Sequence, residues 1–132
     1  MSSAKSYKFL VFGNPLLDND SLPLRLMGPL RKRFPSFEFR EFDPSENLER
    51  EGRDLMIIDT AEGIEKVTLL TDIDSIATSK IYSMHDFDLG FSLKLLKKAG
   101  YIDSARVFCV PMGIGEDLAL SQLADLIASS LP

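Results

Sequence analysis

The sequence predicts an α/β domain in three layers, a parallel or mixed sheet with helices on both faces. Three observations carry that prediction. Apolar runs of strand length alternate along the chain with segments of helical spacing, the order that builds parallel sheets through helical crossovers. One run, Asp54 to Asp59 (DLMIID), is apolar at four consecutive positions, as in a central strand covered on both faces. The chain has 132 residues, 45% of them hydrophobic, enough for a substantial single core. One domain spanning residues 1–132 is expected, with no internal repeat, linker or low-complexity segment.

The elements follow in order. Tyr7 to Phe12 is a brief apolar run closed by Gly13, which reads as a buried strand. A loop carrying Asp18, Asn19 and Asp20 comes next. Ser21 then suits a helix cap, Pro23 is tolerated in a first turn, and Leu22, Leu24, Leu26, Met27 and Leu30 supply apolar cover. The pair Gly28-Pro29 is expected to kink or split this helix. Phe37 to Phe42 is an aromatic, partly alternating strand, and Pro44 to Arg53 a polar connection with a possible helical turn. The strand at Asp54 to Asp59 ends on a carboxylate. Val67 to Leu70 is a short strand, and Thr71 to Ser83 an irregular or partly helical connection. A helix from Asp86 or Phe87 keeps its apolar spacing until Gly100 stops it. Ala105 to Val110 is a further buried strand, and Glu116 to Leu131 a closing amphipathic helix.

Composition removes several function classes. Twenty acidic against fifteen basic side chains give a net charge of -5, which disfavours nucleic acid as a partner, because phosphate binding is driven by Lys and Arg. The cationic run Arg31-Lys32-Arg33 reads as the solvated end of a helix, where positive charge complements the dipole. Cys109 is the sole cysteine and sits among Val107, Phe108 and Val110, so it reads as core packing in a reducing, cytoplasmic protein. No apolar run approaches the roughly 20 residues of a membrane span, and Met1 to Lys5 carries no signal-peptide core. A monomer with neither nucleic-acid nor membrane partner is expected.

Three groups from three separate connections are candidates for chemistry. Asp20 follows the first strand, Asp59 ends the central one, and His85, the sole histidine, precedes a helix. Open α/β sheets place their ligands outside the carboxyl ends of the strands, so parallel strands would bring these groups to one edge. Two carboxylates and an imidazole suit a borderline divalent ion such as zinc or nickel, with coordination positions left open. The metal would supply Lewis acidity, since no Ser-His-Asp or Cys-His arrangement is present. Taken singly, each has a plainer reading: the loop aspartates as caps or turn formers, the histidine as a cap or surface group.

Together these residues carry a family resemblance. Gly13-Asn14-x-Leu16-x-x-x-x-Asp20 after a strand, an apolar strand ending in Asp59, and Ser83-x-His85 opening a helix resemble the hydrogenase maturation endopeptidases, with a weaker match at Leu120-Ser121. That family trims the carboxy-terminal tail of nickel-iron hydrogenase large subunits. The resemblance implies a mixed, mostly parallel five-stranded sheet. It implies that Asp20, Asp59 and His85 contact nickel already loaded into the large-subunit precursor, and that the peptide bond beyond the metal-binding cysteine is then cut. Nickel would be carried by the substrate, with zinc or cadmium as surrogates. The chain departs from the family pattern after Asp18, where Asn19-Asp20-Ser21-Leu22-Pro23 replaces an acidic pair and two glycines. Asn19 withdraws a negative charge beside the expected ligand, and the missing glycines remove backbone freedom.

Three rival readings remain. A phospho-accepting receiver domain also has acidic residues after its first strand, but they follow it almost directly, and a lysine ends its last strand; here Cys109-Val110-Pro111-Met112 ends it. A nucleotide-binding module is suggested by Gly113-x-Gly115, although Glu116-Asp117 would repel phosphate and a tight turn explains the glycines. A non-catalytic relative would bind a metal or a hydrogenase-like partner without cleaving it.

Overall fold

In the computed structural model, residues 7–13, 21–43, 46–78, 82–83 and 89–131 are described. Their elements are β1 (Lys8–Val11), α1 (Leu22–Arg33), β2 (Glu38–Glu41), a 3-10 turn (Leu48–Arg50), β3 (Asp54–Glu62), β4 (Thr68–Leu70), α2 (Ile73–Thr78), β5 (Tyr82–Ser83), α3 (Leu89–Lys98), β6 (Ser104–Pro111) and α4 (Glu116–Ser130). The sheet runs in the order β2-β1-β3-β6-β4, with β5 paired to β3 off this path. Strands β1, β2, β3 and β6 are parallel, while β4 on β6 and β5 on β3 are antiparallel. The mixed sheet of five main strands agrees with expectation.

Strand alternation divides the core in two. Phe9 and Val11 of β1, Phe39 of β2, Met56 and Ile58 of β3 and Phe108 and Val110 of β6 face one side. There they meet Leu22, Leu26, Met27 and Leu30 of α1 and Ala119, Leu123 and Ile127 of α4. The intervening residues Leu10, Leu55, Ile57, Ala61, Val107 and Cys109 face the other side, against Leu48, Ile73 and the α3 residues Leu89 and Leu93. Period-two strands bearing apolar groups on both faces require this three-layer arrangement. Among the described residues, no helix is long and apolar enough to cross a membrane.

Several boundaries differ from those expected. Ser21 stands at the N-cap position of α1 as expected, its carbonyl accepting the Arg25 N–H at 3.1 Å, but its Oγ makes no capping bond and accepts instead from the Arg25 guanidinium. Gly28-Pro29 does not split the helix, which runs unbroken through Pro29 because Leu26, Met27 and Leu30 bury its inner face on both sides of the proline. Packing outweighs one lost backbone bond. Strand β3 continues past Asp59 to Glu62, since β6 stays in register with it as far as Pro111 opposite Ala61, and β5 pairs Ala61 and Glu62. The connection 71–83 contains α2, where Asp72 accepts from the Asp74 N–H and the Ser75 hydroxyl, and then the two residues of β5. A start for α3 at Asp86 or Phe87 lies outside the described residues. The basic run Arg31-Lys32-Arg33 does form the exposed last turn of α1.

An ion cluster ties the 3-10 turn to the sheet. Glu51 accepts from Lys8 Nζ at 3.0 Å and from the Arg40 guanidinium. Burial alone would raise its carboxyl pKa, but these two partners hold it below the ordinary 4.5. A depressed carboxylate contributes stability above its unfolded-state pKa and loses it as pH falls through the folded value. Glu51→Gln is therefore expected to destabilise the chain at pH 7 by about 1 kcal/mol, the scale of a partly exposed pair. Urea titrations of both proteins should show that difference shrink as pH falls below the ordinary carboxylate range and through the folded-state pKa.

Candidate functional site

The strand order fixes where ligand chemistry can gather. From β1 the chain crosses through α1 to β2 on one side, whereas from β3 it progresses to β6 on the other, so the order reverses between β1 and β3. In an open α/β sheet, the crevice outside the carboxyl ends of two such strands is the binding position. A helix joining two parallel strands runs back along the sheet, so the start of α1, with buried Ser21, stands at this same edge.

Register then narrows the position to one point on β3. Val11 lies opposite Ile58, and the Phe12 N–H donates to the Ile58 carbonyl at 2.8 Å, which carries β1 to the level of Asp59. From the opposite direction, β5 runs antiparallel with Tyr82 opposite Glu62 and Ser83 opposite Ala61. The two strands approach head-on along β3 and both leave it at Thr60. The described ends of the two strands, Phe12 and Ser83, therefore flank Thr60, one residue beyond Asp59.

Asp59 is only 3% exposed. By alternation its side chain shares the face of Ile57 and Ala61, level with Phe12 on β1 and Cys109 on β6. Its Oδ1 accepts the Thr60 N–H at 2.8 Å. A carboxylate in such apolar surroundings is costly unless hydrogen bonds or opposite charge offset its desolvation. The neighbouring thiol reports that field. Burial, and then the nearby Asp59 charge, push Cys109 up to about 12 from an ordinary 9.0. Only the thiolate is nucleophilic, so alkylation of folded Cys109 by iodoacetamide at pH 8 should be about a thousandfold slower than in urea. A rate unchanged by unfolding would contradict that placement.

The other two candidates, Asp20 and His85, lie outside the described residues, as do Asn14, Leu16, Asp18 and Asn19. Among the described residues, no three His, Cys, Asp or Glu side chains gather as a metal site. Asp59 is the candidate whose surroundings are on view. Sequence reasoning did not anticipate β5, whose two residues carry no periodic signal, nor that Cys109 stands beside Asp59, which only the β3–β6 register reveals. The Gly113-x-Gly115 segment is a turn: Gly113 has φ +82, and Gly115 precedes α4, whose Glu116 pairs with Arg25 at 2.9 Å. That carboxylate occupies the helix start where a nucleotide phosphate would have to bind.

The fold has known counterparts. The chain is similar to the hydrogenase maturating endopeptidase HybD from E. coli, with a TM-score of 0.60 over 95% of this chain and 94% of that one, at 18% identity. It is also similar to a hydrogenase 3 maturation protease, with a TM-score of 0.63 over 94% and 90%, again at 18% identity. No family profile and no curated protein matches the chain. The likeness is one of fold.

Proposed function

We propose that this chain is an endopeptidase that removes the carboxy-terminal extension of a nickel-loaded nickel-iron hydrogenase large-subunit precursor. The observation that carries the reading is the head-on approach of β1 and β5 beside buried Asp59, at the point where strand order reverses. The connection leaving β1 holds Asp20, directly before Ser21, and the one leaving β5 holds His85. Two peptide steps, about 7.6 Å at most, separate the His85 and Ser83 Cα atoms. These three side chains are the proposed ligands of the nickel, which is the substrate's cargo and marks the precursor as ready. The same fold in two maturation proteases supports the reading.

In this scheme Asp59 is the fixed member. Its Oδ1 is oriented by the Thr60 N–H, and its burial keeps competing water away, so its charge acts at close range in a low-dielectric setting. Asp20 and His85 bring donors from the two connections, and open metal positions leave room for the precursor's own ligands.

One observation favours a second reading, binding without cleavage. Where the family pattern has flexible glycines, this chain buries Ser21, Leu22 and Pro23 at the start of α1. A single assay separates the two. Incubated with a nickel-loaded precursor, the chain should shorten it, seen as a mass decrease by mass spectrometry. A stable complex with no mass change would select the second reading, and processing by Asp59→Asn at the normal rate would overturn the site.

A further inference from the structure

A groove of about 800 Å3 lies away from Asp59, between α1 and the outer strand β2. Strand β2 pairs with β1 alone. The Glu38 N–H donates to the Tyr7 carbonyl at 2.8 Å and the Phe42 N–H to the Val11 carbonyl at 2.9 Å, so Glu38, Arg40 and Phe42 turn their backbone groups inward. By alternation, Phe39 and Glu41 present theirs outward, along an open sheet edge. The Phe39 carbonyl accepts from Arg31 Nη2 at 2.6 Å, a bond that an added strand would replace. Arg31 makes no ion pair among the described residues. Beside this edge, half-buried Leu24 and Phe37 form the apolar floor, and Gly28 leaves it open, since a Cβ there would meet nothing within 4 Å.

We infer that β2 accepts one extended segment of the partner protein as an added strand, with alternate apolar side chains dropping beside Gly28 onto Leu24 and Phe37. An acidic side chain of that segment pairs with Arg31. Directed backbone groups next to a groove lined by both apolar and charged side chains suit an extended chain, because main-chain bonds supply affinity and alternate side chains supply selectivity. A second copy of this chain fits poorly. A symmetric antiparallel pairing centred on Phe39 brings Arg31 against its own copy, one centred on Arg40 opposes two arginines, and one centred on Glu41 opposes two glutamates. Like charges directly opposed are destabilising. The added strand would end near Glu41, at the carboxyl edge that holds Asp59, so the groove serves as a docking site outside the reacting centre. The inference rests on the endopeptidase reading only for which protein supplies the strand.

Two substitutions test it without touching the core. Gly28→Phe fills the groove from an exposed helix position. Glu41→Pro removes an outward N–H while leaving the bonds to β1 intact, as edge strands allow. Circular dichroism melts should confirm that both fold. Adding the nickel-loaded precursor to the full chain should slow deuterium exchange at the Phe39 and Glu41 amides, and each variant should bind it at least about tenfold more weakly. Wild-type affinity in both variants overturns the docking site, and if the precursor is still shortened, the endopeptidase reading survives. Protection at Phe39 and Glu41 without shortening does the reverse. A wild-type chain that neither binds nor shortens the precursor overturns both. A dimer in sedimentation that Glu41→Pro dissolves would name a second copy as the occupant and overturn the inference.

Discussion

Replacing Asp59 by asparagine should leave the chain folded and lower precursor processing by at least about a hundredfold, since losing a group even one shell further from a metal costs up to that much. The substitution suits the site because it changes charge and almost nothing else. An asparagine Oδ1 can still accept the Thr60 N–H, so the local backbone keeps its partner. Desolvation of a carboxylate is relieved, so the urea midpoint should hold or rise. Meanwhile the charge that helps push the Cys109 thiol up disappears, and the thiol should titrate lower. A processing rate, a midpoint and a thiol titration therefore move independently, and a merely unfolded variant could not produce the pattern. Asp20→Ala and His85→Ala are expected to abolish processing with little effect on folding, because groups that act on one metal fail as a unit. Normal processing by either would break the three-residue site.

How much of this was legible in the sequence depended on the range of each signal. DLMIID announced a doubly covered strand because four successive apolar residues need partners on both faces, and β3 sits between β1 and β6. Val67 to Leu70 was found as a strand, but its antiparallel pairing on β6 was not, because direction is settled by a partner distant in sequence. The split that Gly28-Pro29 suggests is absent for the opposite reason. Its local cost is real, yet Leu26 and Leu30 gain more by remaining on one continuous face against α4. The site shows the same division. Asp59 stood out by chemistry, a carboxylate closing an apolar run, but its placement within rather than at the end of β3 came from β5 and the last residues of β6. That Phe12 and Ser83 meet the same strand from opposite ends is a property of register, which no local pattern encodes.

The scaffold beneath the site should be most sensitive at Phe9. This side chain is fully buried on β1 and stacks on Phe39 at 5.0 Å between centroids, with Phe37 and Phe108 each at 5.9 Å. It thus joins the outer strand β2 to the central strands through one aromatic cluster, on the face that α1 and α4 cover. Phe9→Ala removes the ring and leaves a cavity that stiff neighbours on a hydrogen-bonded sheet cannot close, a loss of about 3–5 kcal/mol. Against a total of about 5–15 kcal/mol for a domain, that is enough to leave much of the chain unfolded at 37 °C. Phe9→Leu keeps most of the volume and should cost appreciably less. Urea unfolding should show the alanine midpoint displaced with the slope unchanged, the signature of lost stability rather than altered compactness. Should Phe9→Ala unfold within about 1 kcal/mol of the parent, the cluster would not be the joint between β2 and the rest of the sheet. The register that brings β1 to the level of Asp59 would then rest on backbone pairing alone.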